Sequence, residues 1–205
     1  MAAPFIVFEG LDGAGTTTQA RRLVEALAQA GRAAHYTREP SDGPVGTLIR
    51  QALGGRLTHP DHSRLAPETM ALLFAADRMD HLAAEVDPVR AAGVAVVCDR
   101  YVLSSLAYQG QELDDAFVRA INARARAPDL TIFLKTSPET ALARRAGRHL
   151  QADLYEALQT QRRVAAAYDA AIQERSSSHR VQVLDGERPV DGIAEDCLRL
   201  ALSCA

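Results

Sequence analysis

A five-stranded parallel α/β sheet with helices on both faces is the fold this sequence predicts, in one domain covering residues 1–205. Three observations predict it. Short apolar, β-branched segments recur at 5–9, 33–38, 94–98, 130–135 and 180–184. Longer stretches with helical spacing separate them, and the two kinds alternate, which is how a parallel sheet buried on both sides reads. At 205 residues, 47% hydrophobic and 24% charged, the composition excludes a fibrous repeat and global disorder.

The helical patterns fall at 17–30, 45–53, 68–92, 114–124, 138–146, 153–174 and 190–202. Gly31 stands where a left-handed residue would end the first. Ser137, Pro138 and Glu139 open the fifth with an N-cap, a first-turn proline and a carboxylate that suits the helix dipole. Residues 41–44 and 147–152 read as loops, and the serine run 176–178 as a turn.

Formal charge is −3, from 23 basic and 26 acidic residues, so no global positive field points to a nucleic-acid partner. Anions must be caught locally. Lys135 is the only lysine; the other 22 basic residues are arginines. Cys98, Cys197 and Cys204 are odd in number and lack metal-ligand spacing, which suits reduced thiols and a cytoplasmic location. No apolar run reaches the roughly 18 residues that span a bilayer, so no membrane partner is expected.

The first strand ends at Glu9 and runs through Gly10, Leu11, Asp12, Gly13, Ala14, Gly15, Thr16, Thr17 and Thr18 into a helix. This is nearly a Walker A loop. Its glycines let successive backbone N–H groups converge on a phosphate, and the helix N-terminus adds partial positive charge. Thr17 holds the hydroxyl position that reaches Mg²⁺. The residue before it should be lysine and is Thr16. Loss of one preorganised donor typically costs about 10²–10³ in rate, so another cation is required. Lys135 ends the fourth strand at the sheet edge where ligands bind. If that strand flanks the first, about 4.8 Å away, its ammonium can reach the β/γ phosphates. Asp99, at the end of the third apolar strand, is the Walker B carboxylate expected beside Mg²⁺, and Arg100 beside it suits a substrate phosphate.

Asp99-Arg100-Tyr101, Ser104-Ser105 and Ala107-Tyr108-Gln109-Gly110 together resemble the signature of thymidylate kinases. Thr37-Arg38-Glu39-Pro40 and Leu73-Phe74-Ala75-Ala76-Asp77-Arg78 resemble two further segments of that family, in family order, between about residues 5 and 185. The resemblance implies a P-loop nucleoside monophosphate kinase-like fold with a short lid at about 144–156, and transfer of phosphate from MgATP to dTMP by a cytoplasmic homodimer. It also implies that Phe74 stacks on thymine and Arg78 hydrogen-bonds its edge, that Arg38 and Arg100 hold the monophosphate, and that Ser105 and Gln109 lie near the base. Tyr108 would pack where a 2′-hydroxyl would clash, and Asp12 would sit near the acceptor sugar and phosphate. Bidentate arginine contacts suit a phosphate, and an aromatic face with a planar donor suits a pyrimidine.

The family's basic lid is matched by Arg144, Arg145 and Arg148. With no arginine in the phosphate loop, catalytic arginines are expected from the lid, at Arg144 and Arg148. Two departures stand out: Leu154 replaces an arginine of the lid's D-R-x-E element, and Lys135 stands where the family commonly has aspartate. The alternatives are a kinase for another deoxynucleotide or nucleoside, and a catalytically weak nucleotide-binding homologue.

Overall fold

A computed structural model describes residues 3–145, 151–175 and 180–204, without the side chains of 151–155 and 175. Its centre is one parallel sheet of β1 (Phe5–Gly10), β2 (Ala34–Arg38), β3 (Ala95–Asp99), β4 (Leu130–Lys135) and β5 (Val181–Asp185), in the order β2-β3-β1-β4-β5. The expected strands are all present, shifted by a residue at some ends. β1 and β3 are buried along their whole length, which is why they read as unbroken apolar runs rather than alternating ones. Strand order reverses at β1, so the exit of β1 lies between the ends of β3 and β4, where a doubly wound sheet leaves its ligand crevice.

The helices are α1 (Thr16–Gln29), α2 (Pro44–Leu53), α3 (Pro67–His81), α4 (Asp87–Ala91), α5 (Val102–Tyr108), α6 (Asp115–Asn122), α7 (Pro138–Arg145), α8 (Gln151–Arg175) and α9 (Val190–Leu202). Gly31 follows α1 at φ 74°, as its end requires. The backbone N–H of Thr140 donates to Ser137 Oγ at 3.3 Å, the expected cap of α7.

Two elements differ from the sequence reading. The continuous helix expected over 68–92 is instead α3, a π-helical turn at Leu82–Val86, and α4. Pro88 explains the break, because it has no N–H to donate and its ring crowds the preceding turn, which a wider π turn accommodates. The short helix α5 lies within the Asp99–Gly110 motif, between the helical stretches expected at 68–92 and 114–124.

The loop after β2 is tied to α3 by buried polar contacts. Asp77 accepts from the Ser41 backbone N–H at 2.8 Å and from the Ser41 hydroxyl at 2.6 Å. Arg78 pairs with Glu39 at 2.7 Å, both side chains 3% exposed or less, and reaches Asn122 and Ser105. His81 lies 2.7 Å from Thr37 Oγ1 and 3.4 Å from Glu39 Oε1. Burial works against charging His81, yet the carboxylates of Glu39, Glu85 and Asp77 outweigh it and lift the imidazole above its ordinary value. The folded state therefore holds the extra proton more tightly than the unfolded chain. This contribution is complete below the ordinary histidine pKa of about 6.5 and is lost as pH rises through the lifted value. His81→Asn should flatten that decline in a melting-temperature series from about pH 6 to 9; a parallel decline in both proteins would remove His81 as its source.

Candidate active site

Gly13 and Gly15, at φ 98° and 96°, let the chain after β1 curl back before α1 begins. Few residues other than glycine accept that backbone. Asp12, Gly13, Gly15, Thr16, Thr17 and Thr18 line a cavity of about 520 Å³ with Arg100, Arg144 and Arg145. Gly10 ends β1 beneath it, and Ala14 is buried. Thr16, at the missing lysine's position, is buried, so its side chain contributes packing rather than charge. Thr17 and Thr18 are exposed.

β3 ends in Asp99, whose Oδ2 accepts from the Thr17 hydroxyl. Its other oxygen, Oδ1, is buried without a protein partner. A hydroxyl and a carboxylate with an unused oxygen fit Mg²⁺, a hard cation that keeps waters and takes few protein ligands. Among the described residues no group of three His, Cys, Asp or Glu could hold a metal by itself.

Arg100 follows at φ 74°, a left-handed backbone that is uncommon and costly for a residue with a side chain. Its guanidinium donates to Asp12 Oδ1 at 2.5 Å, to the Gly10 carbonyl at 3.1 Å and to the Ser104 hydroxyl at 3.2 Å, and lies over the Tyr108 ring at 5.5 Å. Burial opposes this charge, but Tyr168, Tyr108, Asp12 and Glu9 outweigh it and hold Arg100 above the ordinary arginine value. Beneath it Glu9 is fully buried and accepts from the Tyr101 and Ser104 backbones, the Ser104 hydroxyl and the Tyr168 hydroxyl. Burial raises the Glu9 carboxyl, with those bonds and Arg100 opposing the rise.

The residues expected on the acceptor side come from β2, α3, α5 and the turn that follows α5. Arg38 ends β2 in register with Asp99 and pairs with Asp42 at 2.9 Å. Phe74, half-buried, and Arg78 are four apart on α3, hence on one face. Ser105 is buried on α5 and accepts from Arg78 at 3.0 Å. The Tyr108 hydroxyl accepts from the Asp12 backbone N–H at 3.2 Å, and burial pushes it up to about 12. Gln109 Oε1 is buried without a partner.

Lys135 is placed differently from the expectation. β4 does flank β1, but the ammonium donates to both oxygens of Asp169 on α8, at 3.1 and 3.3 Å, and Lys135 is not among the residues lining the cavity. Side chains alternate along a strand. Phe133, two residues earlier, already packs on Tyr168 of α8 with ring centroids 5.1 Å apart, so Lys135 faces the same helix. Of the lid residues, Arg144 donates to the Gly186 carbonyl at 2.9 Å. Arg148 and residues 147–150 of the lid lie outside the described residues, as does the side chain of Leu154.

Sequence reasoning missed Glu9, Glu39, Asn122 and Tyr168. Glu9 carried the signal that found Asp99, a carboxylate ending an apolar strand. Tyr168 gave none, since it meets Glu9 across 159 residues.

Residues 8–197 match the family model described as Thymidylate kinase. A thymidylate kinase from Ruegeria pomeroyi is 38% identical over 206 residues, covering 97% of this chain and 94% of the relative. One from Thermomicrobium roseum is 41% identical over 199 residues, covering 93% and 90%.

Proposed function

The chain belongs to the thymidylate kinase family, and from that premise we propose how its own residues divide the transfer of a phosphoryl group from ATP to dTMP. It is a nucleoside monophosphate kinase that forms dTDP; other acceptors are not favoured. Such a transfer asks little covalent chemistry of the protein, so positioning and charge neutralisation carry it.

In this proposal the backbone of Gly10, Gly13, Ala14, Gly15, Thr16, Thr17 and Thr18 cradles the ATP phosphates. Thr17 and Asp99 would hold Mg²⁺, which when bound supplies positive charge to the phosphate oxygens; the unpartnered Oδ1 of Asp99 supports this. Arg100, with Arg38 opposite Asp99, holds the dTMP phosphate. Asp12 accepts from Arg100 and so orients its fork toward the loop. Phe74, Arg78, Ser105 and Gln109 face thymine. The orphaned Gln109 oxygen supports a place for a base N–H, and Tyr108 stands beside the sugar. Arg144 is kept as a nucleotide-side cation, and Arg148 as the lid arginine.

The observation that carries the assignment is Arg100, held in a strained backbone with one face on Asp12 and the Gly10 carbonyl, at the wall of the phosphate cavity. ADP release with dTMP, dUMP, dCMP and thymidine as acceptors tests the reading. Turnover should be highest with dTMP; a chain that phosphorylates another of these and leaves dTMP untouched would overturn it.

A homodimer is proposed as well. Adjoining helices α2 and α3 leave Leu48, Leu53, Leu72 and Met79 exposed, apolar surface that a second copy would cover. Among the described residues no helix is long and apolar enough to cross a membrane, and a cytoplasmic location is proposed.

A further inference from the structure

We propose that Arg145, at the end of α7, supplies to the ATP phosphates the positive charge that the phosphate loop lacks at Thr16. This rests on the kinase reading above and assigns a further catalytic residue to it.

Among the described residues, three cations line the cavity. Two are committed. Arg100 is bound by Asp12, Gly10, Ser104 and Tyr168 on the acceptor side, and Arg144 donates to the Gly186 carbonyl. Arg145 approaches only Asp12 Oδ2, at 3.6 Å, with half of its side chain exposed. An exposed pair at that separation contributes little and exchanges readily for a polyanion. Among the described residues, Arg145 is therefore the cavity guanidinium with the weakest prior contact when a triphosphate enters.

The loop itself fixes where that guanidinium can be. Gly13 sits so close to α7 that a Cβ on it would lie 2.2 Å from the Ala141 carbonyl oxygen and 3.1 Å from Arg145 Cγ. The backbone of the phosphate loop thus packs on α7, and the alkyl stem of Arg145 lies along Gly13. A lysine in the loop would project its charge from α1; here the charge enters from α7, a helix braced against the same loop. Lys135, the other candidate, is held by both oxygens of Asp169.

A charge standing in for the loop lysine makes a prediction that an unrelated lid contact does not, because returning the lysine should compensate for its loss. Arg145→Ala is expected to lower kcat/KM for ATP by at least about a hundredfold, with the melting temperature unchanged. Adding Thr16→Lys to that variant should recover at least about tenfold, and Lys135→Ala should lose about tenfold less than Arg145→Ala. All are measured by coupled ADP release with dTMP, against an active parent; an inactive parent would speak against the kinase reading instead. Near-parental turnover by Arg145→Ala, no recovery on adding Thr16→Lys, or a deeper loss in Lys135→Ala would each overturn the proposal.

Discussion

Arg100→Ala is expected to lower kcat for dTMP phosphorylation by at least about a thousandfold, the range in which a single arginine acts on a transferring phosphoryl group. The reason is local charge. Asp12 accepts from Arg100, and Glu9 lies buried directly behind it. Remove the guanidinium and two acidic side chains remain beside the proposed phosphate site. Arg100→Lys would keep the charge but lose the fork that bridges Asp12 and the Gly10 carbonyl, so it should recover only part of the rate. Steady-state kinetics on both variants decide the matter, and an alanine variant within tenfold of the parent would place the phosphate clamp elsewhere.

The largest effect on stability is expected at Arg78→Met, about 3–5 kcal/mol, because it leaves the buried Glu39 carboxylate without its closest charge partner and with only the longer contact to His81. Both side chains are almost fully enclosed, so water cannot repair the loss. Adding Glu39→Gln removes the stranded charge and should recover a large part of the deficit. Urea unfolding of the single and double variants checks this, since Arg78→Met with near-parental stability would show that His81 suffices as the partner of Glu39. The guanidinium also stacks over the Tyr101 ring, 5.1 Å from its centroid, and that contact is lost in both variants.

The sheet was legible because buried parallel strands leave continuous apolar runs, and β1, β3 and β4 are such runs. The loop after β1 was legible for a different reason: its glycines and threonines are contiguous, so the sequence displays the proposed phosphate site in one stretch. What escaped depends on which side of the sheet a residue faces. Lys135 ends the right strand beside the right neighbour, yet strand alternation turns it onto α8 with Phe133. Arg145 was visible only as one of several lid arginines, and its contact with Gly13 follows from how α7 docks on the loop. The buried bonds of Glu9 join β1, α5 and α8, and no local spacing announces contacts between such distant segments.

A chain with one lysine also has one ε-amine, and Asp169 holds it. Affinity labels that acylate the amine of a nucleotide-binding loop would find no amine side chain among the described residues around this cavity, whose polar side chains are hydroxyls, guanidinium groups and the Asp12 carboxylate. Lysine acetylation likewise has a single side chain to act on, so labelling of Lys135 reads out the β4–α8 junction without background from another lysine.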